Sequence, residues 1–110
     1  MEEIYHVCTR SIADFKIFNS EYDYYRIVEA IRYYRQEKPV VRFSIYLNIE
    51  DEEKKKRLDV ADSNVIVNVV AYCIMPTHVH LLLYQKKPSG MSIYMNNLLN
   101  SYSKYFNAKH

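Results

Sequence analysis

The chain has 110 residues, 49% apolar and 25% charged, which suits one globular domain with a single core and excludes a disordered chain. Its net charge of +2 is too small to argue nucleic-acid binding by itself. No apolar run reaches the roughly 18 residues of a membrane span and no signal peptide is visible, so a soluble, cytoplasmic protein is expected.

Ile4-Tyr5-His6-Val7-Cys8-Thr9-Arg10 is rich in β-branched and aromatic residues and predicts a mostly buried strand. Residues 11–19 predict a loop, with Phe15, Ile17 and Phe18 folding back on the core. Ser20, with Asp23 three places on, marks a helix start. Tyr24, Ile27, Val28, Ile31 and Tyr34 then recur at helical spacing, with Arg26, Glu29, Arg32 and Arg35 elsewhere on its surface. That helix should end near Glu37, because Lys38 precedes Pro39 and a pre-proline residue avoids the α region. Val40–Leu47 reads as a strand or an extended cover over the sheet. In Glu50–Leu58 the acids come first and the bases last, which suits a short exposed helix; Lys54, Lys55, Lys56 and Arg57 read as a solvated face before a nucleic-acid contact.

Val65–Met75 is apolar on both sides apart from Asn68 and predicts a central strand buried on both faces. Pro76-Thr77 turns it into an antiparallel hairpin with a strand over His78–Tyr84. Lys86-Lys87-Pro88-Ser89-Gly90 is a loop whose lysines stand where a phosphate could be met. From about Ser89 a helix follows, with Met91, Tyr94, Met95, Leu98, Leu99, Tyr102, Tyr105 and Phe106 along one stripe. Strand, helix, uncertain insert, two strands and helix predict an α+β sandwich: an antiparallel sheet covered mainly on one face by helices, for which a ferredoxin-like arrangement fits. Cys8 and Cys73 lie in predicted strands and read as buried free thiols.

The chemistry concentrates in His78-Val79-His80. Strand side chains alternate faces, so the two imidazoles share one face with Leu82 and Tyr84, while Val79, Leu81 and Leu83 face the core. Two histidines are too few for structural zinc, and there is no Cys-x-x-Cys pair. Completed by an oxygen ligand and a substrate phosphate, the pair suits Mg²⁺ or Mn²⁺ acting on a phosphodiester. His6 is a further candidate ligand if its strand neighbours theirs. A His-x-His pair is also common as two half-exposed histidines without a ligand. A tyrosine and carboxylate four apart on a helix could supply a nucleophile and ligand, as in Tyr25 with Glu29 and Tyr33 with Glu37, although amphipathic packing explains the same residues.

Three stretches together resemble one family: Tyr5-His6-Val7 with Thr9-Arg10; Ala71-Tyr72-Cys73-Ile74-Met75-Pro76-Thr77-His78-Val79-His80-Leu81-Leu82-Leu83; and Asn100-Ser101-Tyr102-Ser103-Lys104-Tyr105-Phe106-Asn107. They are similar, in the same order, to the HUH-type single-tyrosine transposases of small insertion sequences, nearest the REP-associated branch. Residues 39–64 fit that pattern poorly and look like an insertion specific to a subgroup. The resemblance implies one transposase-like domain over 1–110 that nicks and rejoins single-stranded DNA beside hairpins, using a divalent metal held by His78 and His80. The family's nucleophilic tyrosine and a further ligand lie on a later helix, beyond His110, so the chain is expected to be truncated and to lack them; neither role passes to Tyr102 or Tyr105. Arg10, Lys86, Lys87 and Lys104 are candidate DNA contacts, with Arg32, Arg35 and Arg42 also available, and the resemblance makes a homodimer a candidate assembly. Two readings compete with the enzyme: a catalytically incomplete module that binds single-stranded DNA or hairpins, and a ferredoxin-like RNA-binding domain. The latter lacks its usual aromatic motif on the central strands.

Overall fold

The computed structural model describes residues 4–10, 16–39, 41–58 and 64–109. Its elements in chain order are β1 (Ile4–Arg10), α1 (Glu21–Tyr33), α2 (Phe43–Tyr46), α3 (Asp51–Leu58), β2 (Val67–Met75), β3 (His78–Gln85) and α4 (Gly90–Lys109). The fold is α+β. Its sheet has three antiparallel strands in the order β1-β3-β2. Pro76-Thr77 makes the two-residue turn between β2 and β3, and the Pro76 carbonyl accepts the Ile17 N–H at 2.9 Å, tying the segment after β1 to the hairpin tip.

β3 is the central strand, and its alternation is strict. Val79, Leu81 and Leu83 are buried with Ile27, Ile31, Tyr94 and Leu98 of the helices. Removing each of those three side chains from water stabilises the fold by about 2 kcal/mol. β2, expected at the centre, is an edge strand: Val70 is 54% and Tyr72 48% exposed. The register shifts between Val69 and Ala71, leaving Val70 in a bulge, a device that edge strands commonly carry. An apolar sequence on both faces says what a strand can bury, not which neighbours it has.

Helix α1 starts as expected: the Ser20 hydroxyl accepts the Asp23 N–H at 3.2 Å. It ends at Tyr33, earlier than expected, because the next residues pair elsewhere. Gln36 bridges Val65, the Glu37 N–H donates to Asn64 O at 2.7 Å, and the Ile66 N–H donates to Arg35 O at 2.8 Å. Those bonds also take Val65 out of the strand proper. α1 buries Ile27, Ala30, Ile31 and Tyr33 together with Asp23 and Glu29, while Tyr24, Val28 and Tyr34 of the expected stripe are half-buried.

Residues 41–47 form no strand: Phe43–Tyr46 is one helical turn that buries two rings. α3 matches the expected charged helix, but it is not wholly solvated. Lys54 is 3% exposed and lies 3.5 Å from Glu29 Oε1 and 2.6 Å from the Tyr25 hydroxyl. Tyr46 donates to Glu29 Oε2 at 2.9 Å. One buried carboxylate on α1 thus anchors both α2 and α3. Phe18 is buried and Ile17 packs against the core, as expected; Phe15 and Val40 lie outside the described residues.

The chain's one glycine sits where α4 begins. A Cβ at Gly90 would fall 2.5 Å from the Ile66 carbonyl oxygen, so no other residue fits without movement. Tyr94 on α4 donates to Ile31 O of α1 at 2.7 Å, and Tyr102 donates to Ile17 O. At the far end Tyr105 and Lys109 reach Asp23 Oδ1, at 2.6 and 2.7 Å.

Candidate functional site

The helices cover the face of β3 that carries Val79, Leu81 and Leu83. The opposite face carries His78, His80, Leu82 and Tyr84 of β3. By register, His6, Cys8 and Arg10 of β1 stand on one side, and Ala71, Cys73 and Met75 of β2 on the other. Cys8 and Cys73 both lie directly across from His80, and Arg10 and Met75 across from His78.

The imidazoles touch one another. His78 and His80 have ring centroids 4.8 Å apart in an edge-to-face arrangement. His6 and His80 are stacked at 5.3 Å, with His6 Nε2 and His80 Nδ1 3.1 Å apart. His78 Nδ1 is hydrogen-bonded to the Thr77 hydroxyl at 2.9 Å. When that nitrogen is the one bearing hydrogen, the lone pair of His78 is on Nε2, the form in which imidazole ligates a metal. The contact between His6 and His80 uses one lone pair and one N–H, so in this arrangement His6 orients His80. Burial, then the neighbouring His78, His6 and Arg10, push His80 below the ordinary imidazole value, which favours its neutral, ligating form.

Of the expected DNA contacts, only Arg10 stands with the imidazoles. Lys86 and Lys87 follow the opposite end of β3, where Lys87 pairs with Glu37 at 2.7 Å. Lys104 lies on the helix side, in a cleft with Arg26. The expected contacts therefore do not form one surface. Tyr25, Glu29 and Tyr33 belong to α1, across the sheet from His78 and His80; Tyr25 and Glu29 are bonded to Lys54, and Tyr33 donates to Val41 O. Tyr102 and Tyr105 also face the helix layer. Burial raises both hydroxyls, with Asp23 adding to the effect, which opposes phenolate formation. Tyr84 shares the imidazole face, four residues from His80 and so roughly 13 Å along the strand.

Three participants escaped the sequence reading. Thr77 was read only as a turn residue, although its hydroxyl fixes His78. The two cysteines were expected to be buried, and both are exposed on this face; Cys8 Sγ lies 3.9 Å from His80 Nε2. The signal was present: Cys8 has the parity of His6, and a two-residue hairpin sets Cys73 opposite His80. Among the described residues no group of three or more His, Cys, Asp and Glu side chains is gathered to hold a metal ion. The donor set fits a divalent ion as a pair of imidazoles only.

The chain is thus an α+β protein with paired imidazoles on the open face of its central strand. Comparison with known families makes the assignment: residues 39–110, about two thirds of the chain, match the family described as transposase IS200 like, and the chain belongs to that family. The match includes residues 39–64 and leaves β1 and α1 outside it. Comparisons with curated proteins and with solved structures give no match. Among the described residues no helix is long and apolar enough to cross a membrane.

Proposed function

We propose that this transposase domain nicks and rejoins single-stranded, hairpin-flanked DNA, as an HUH-type enzyme of the REP-associated branch. The observation that carries the reading is the imidazole pair of His78 and His80 on the open face of β3, with His78 held by Thr77 and His80 by His6. His78 and His80 would hold Mg²⁺ or Mn²⁺, which supplies Lewis-acid polarisation of a phosphodiester oxygen. Thr77 and His6 keep the two rings oriented, and Arg10, opposite His78, offers a guanidinium to the same phosphate. Tyr102 and Tyr105 do not supply the nucleophile in this reading, because their hydroxyls are bonded to Ile17 O and to Asp23 Oδ1. The strand order β1-β3-β2 with helices after β1 and β3 supports a ferredoxin-like unit. A cytoplasmic location and a homodimer go with this reading.

The same commitment of hydroxyls favours a second reading, a catalytically incomplete module that binds single-stranded DNA or hairpins. Incubating the 110-residue protein with labelled hairpin DNA, with and without Mn²⁺, separates the two. The enzyme reading predicts Mn²⁺-strengthened binding that His78→Ala and His80→Ala weaken about tenfold or more. Binding indifferent to Mn²⁺ and to both substitutions would leave only the module. An adduct on a denaturing gel would move the nucleophile inside these residues.

A further inference from the structure

A second cluster of chemistry lies on the helix side, across the sheet from the histidines. Arg26 of α1 is held between two rings: its Cζ is 5.1 Å from the Phe43 ring centroid and 4.7 Å from that of Tyr105. Guanidinium groups stack on aromatic faces in this way, which fixes their orientation. Arg26 Nε is nevertheless buried with no hydrogen-bond acceptor among the described residues. A buried donor without an acceptor is unfavourable, which marks this guanidinium as incompletely satisfied.

The same guanidinium lines a cleft of about 620 Å³ between α1, α2 and α4, together with Asn97, Asn100 and Lys104. Among the described residues no acidic side chain lines it. Two cations and two amides in a cleft lined by no described acidic side chain are the recognition chemistry of a phosphate group. Arg26 and Lys104 supply charge, and the amides of Asn97 and Asn100 supply donors at its rim. Asn97, Asn100 and Lys104 lie on α4, and α1 and α2 make that side of the helix one wall of a cleft.

We propose that this cleft binds a phosphate group, with the phosphodiester of single-stranded DNA as one source and a free nucleotide or phosphate as the other. The DNA source rests on the transposase reading above; the cleft does not. Affinity of a fluorescein-labelled oligothymidylate, by anisotropy, should fall about tenfold or more in Lys104→Glu and in Asn100→Asp. Lys55→Glu, an equal charge change on exposed α3, should alter it about twofold or less. Unchanged thermal midpoints establish that the variants fold.

Thymidine monophosphate, and inorganic phosphate separately, should shift the amide resonances of Asn97, Asn100 and Lys104 in the wild type and not in Lys104→Glu. Such shifts with oligothymidylate affinity unaltered by the variants support the cleft with free phosphate as its source. Wild-type DNA binding with equal losses in Lys55→Glu and Lys104→Glu, and no shifts from either small probe, overturns the cleft and leaves the transposase reading standing. No response to any of the three probes overturns it as well.

Discussion

Single atoms decide several features of this protein. Gly90 follows Ser89, itself at φ 60°, and stands against the Ile66 carbonyl. Helix propensity alone favours alanine over glycine by about 1 kcal/mol. Here the contact dominates, so Gly90→Ala should destabilise the fold by about 1–3 kcal/mol in urea unfolding; a more stable variant would refute the close approach. Glu29 is the other such residue. Burial alone would lower Lys54, but the Tyr25 hydrogen bond and the Glu29 charge raise it, so it stays protonated inside. Glu29→Ala would strand that ammonium and should cost about 3–5 kcal/mol, seen as a lowered thermal midpoint. Neither effect was legible beforehand. The spacing at Glu29 reads as helix surface, and its partner is 25 residues further along the chain.

At the scale of elements, the two long helices are joined at their ends by Asp23. Burial would raise its carboxyl, but hydrogen bonds from Lys109, Tyr105 and the Asn19 N–H, with the charge of Lys109, hold it at about 2. The folded value lies below the unfolded one. This contribution is therefore complete above about pH 4 and is lost as pH falls towards the folded value, with a size of about 2 kcal/mol at neutral pH. Asp23→Asn should remove that part of the acid dependence, measured by chemical unfolding between pH 5 and 2 (an unchanged slope would exclude the residue as its source). Much at this scale was readable. The β1 bounds follow from β-branched and aromatic residues, the hairpin from Pro76-Thr77, and α4 from its stripe. The order of strands was not, because alternation fixes faces and leaves edges open. The early end of α1 depended on pairing between residues 35–38 and 64–66, which no local pattern records.

For the whole molecule, the sheet divides two surfaces. One carries the imidazoles, Arg10 and the thiols; the other carries the helices and the cleft around Arg26. Cations stand on both surfaces, Arg10 on the first and Arg26 and Lys104 on the second, in a chain of net charge only +2. The paired histidines could be placed from the sequence because a two-residue period needs no tertiary information. Their supporting contacts could not, since His6 and His80 are 74 residues apart. In the proposed function His78 and His80 hold a divalent metal ion. The most direct measurement is Mn²⁺ binding followed by electron paramagnetic resonance in the wild type, His78→Ala and His80→Ala. One ion per chain, lost in each variant while the fold persists, is the predicted result. Equal Mn²⁺ uptake by all three proteins, or none by the wild type, would contradict it.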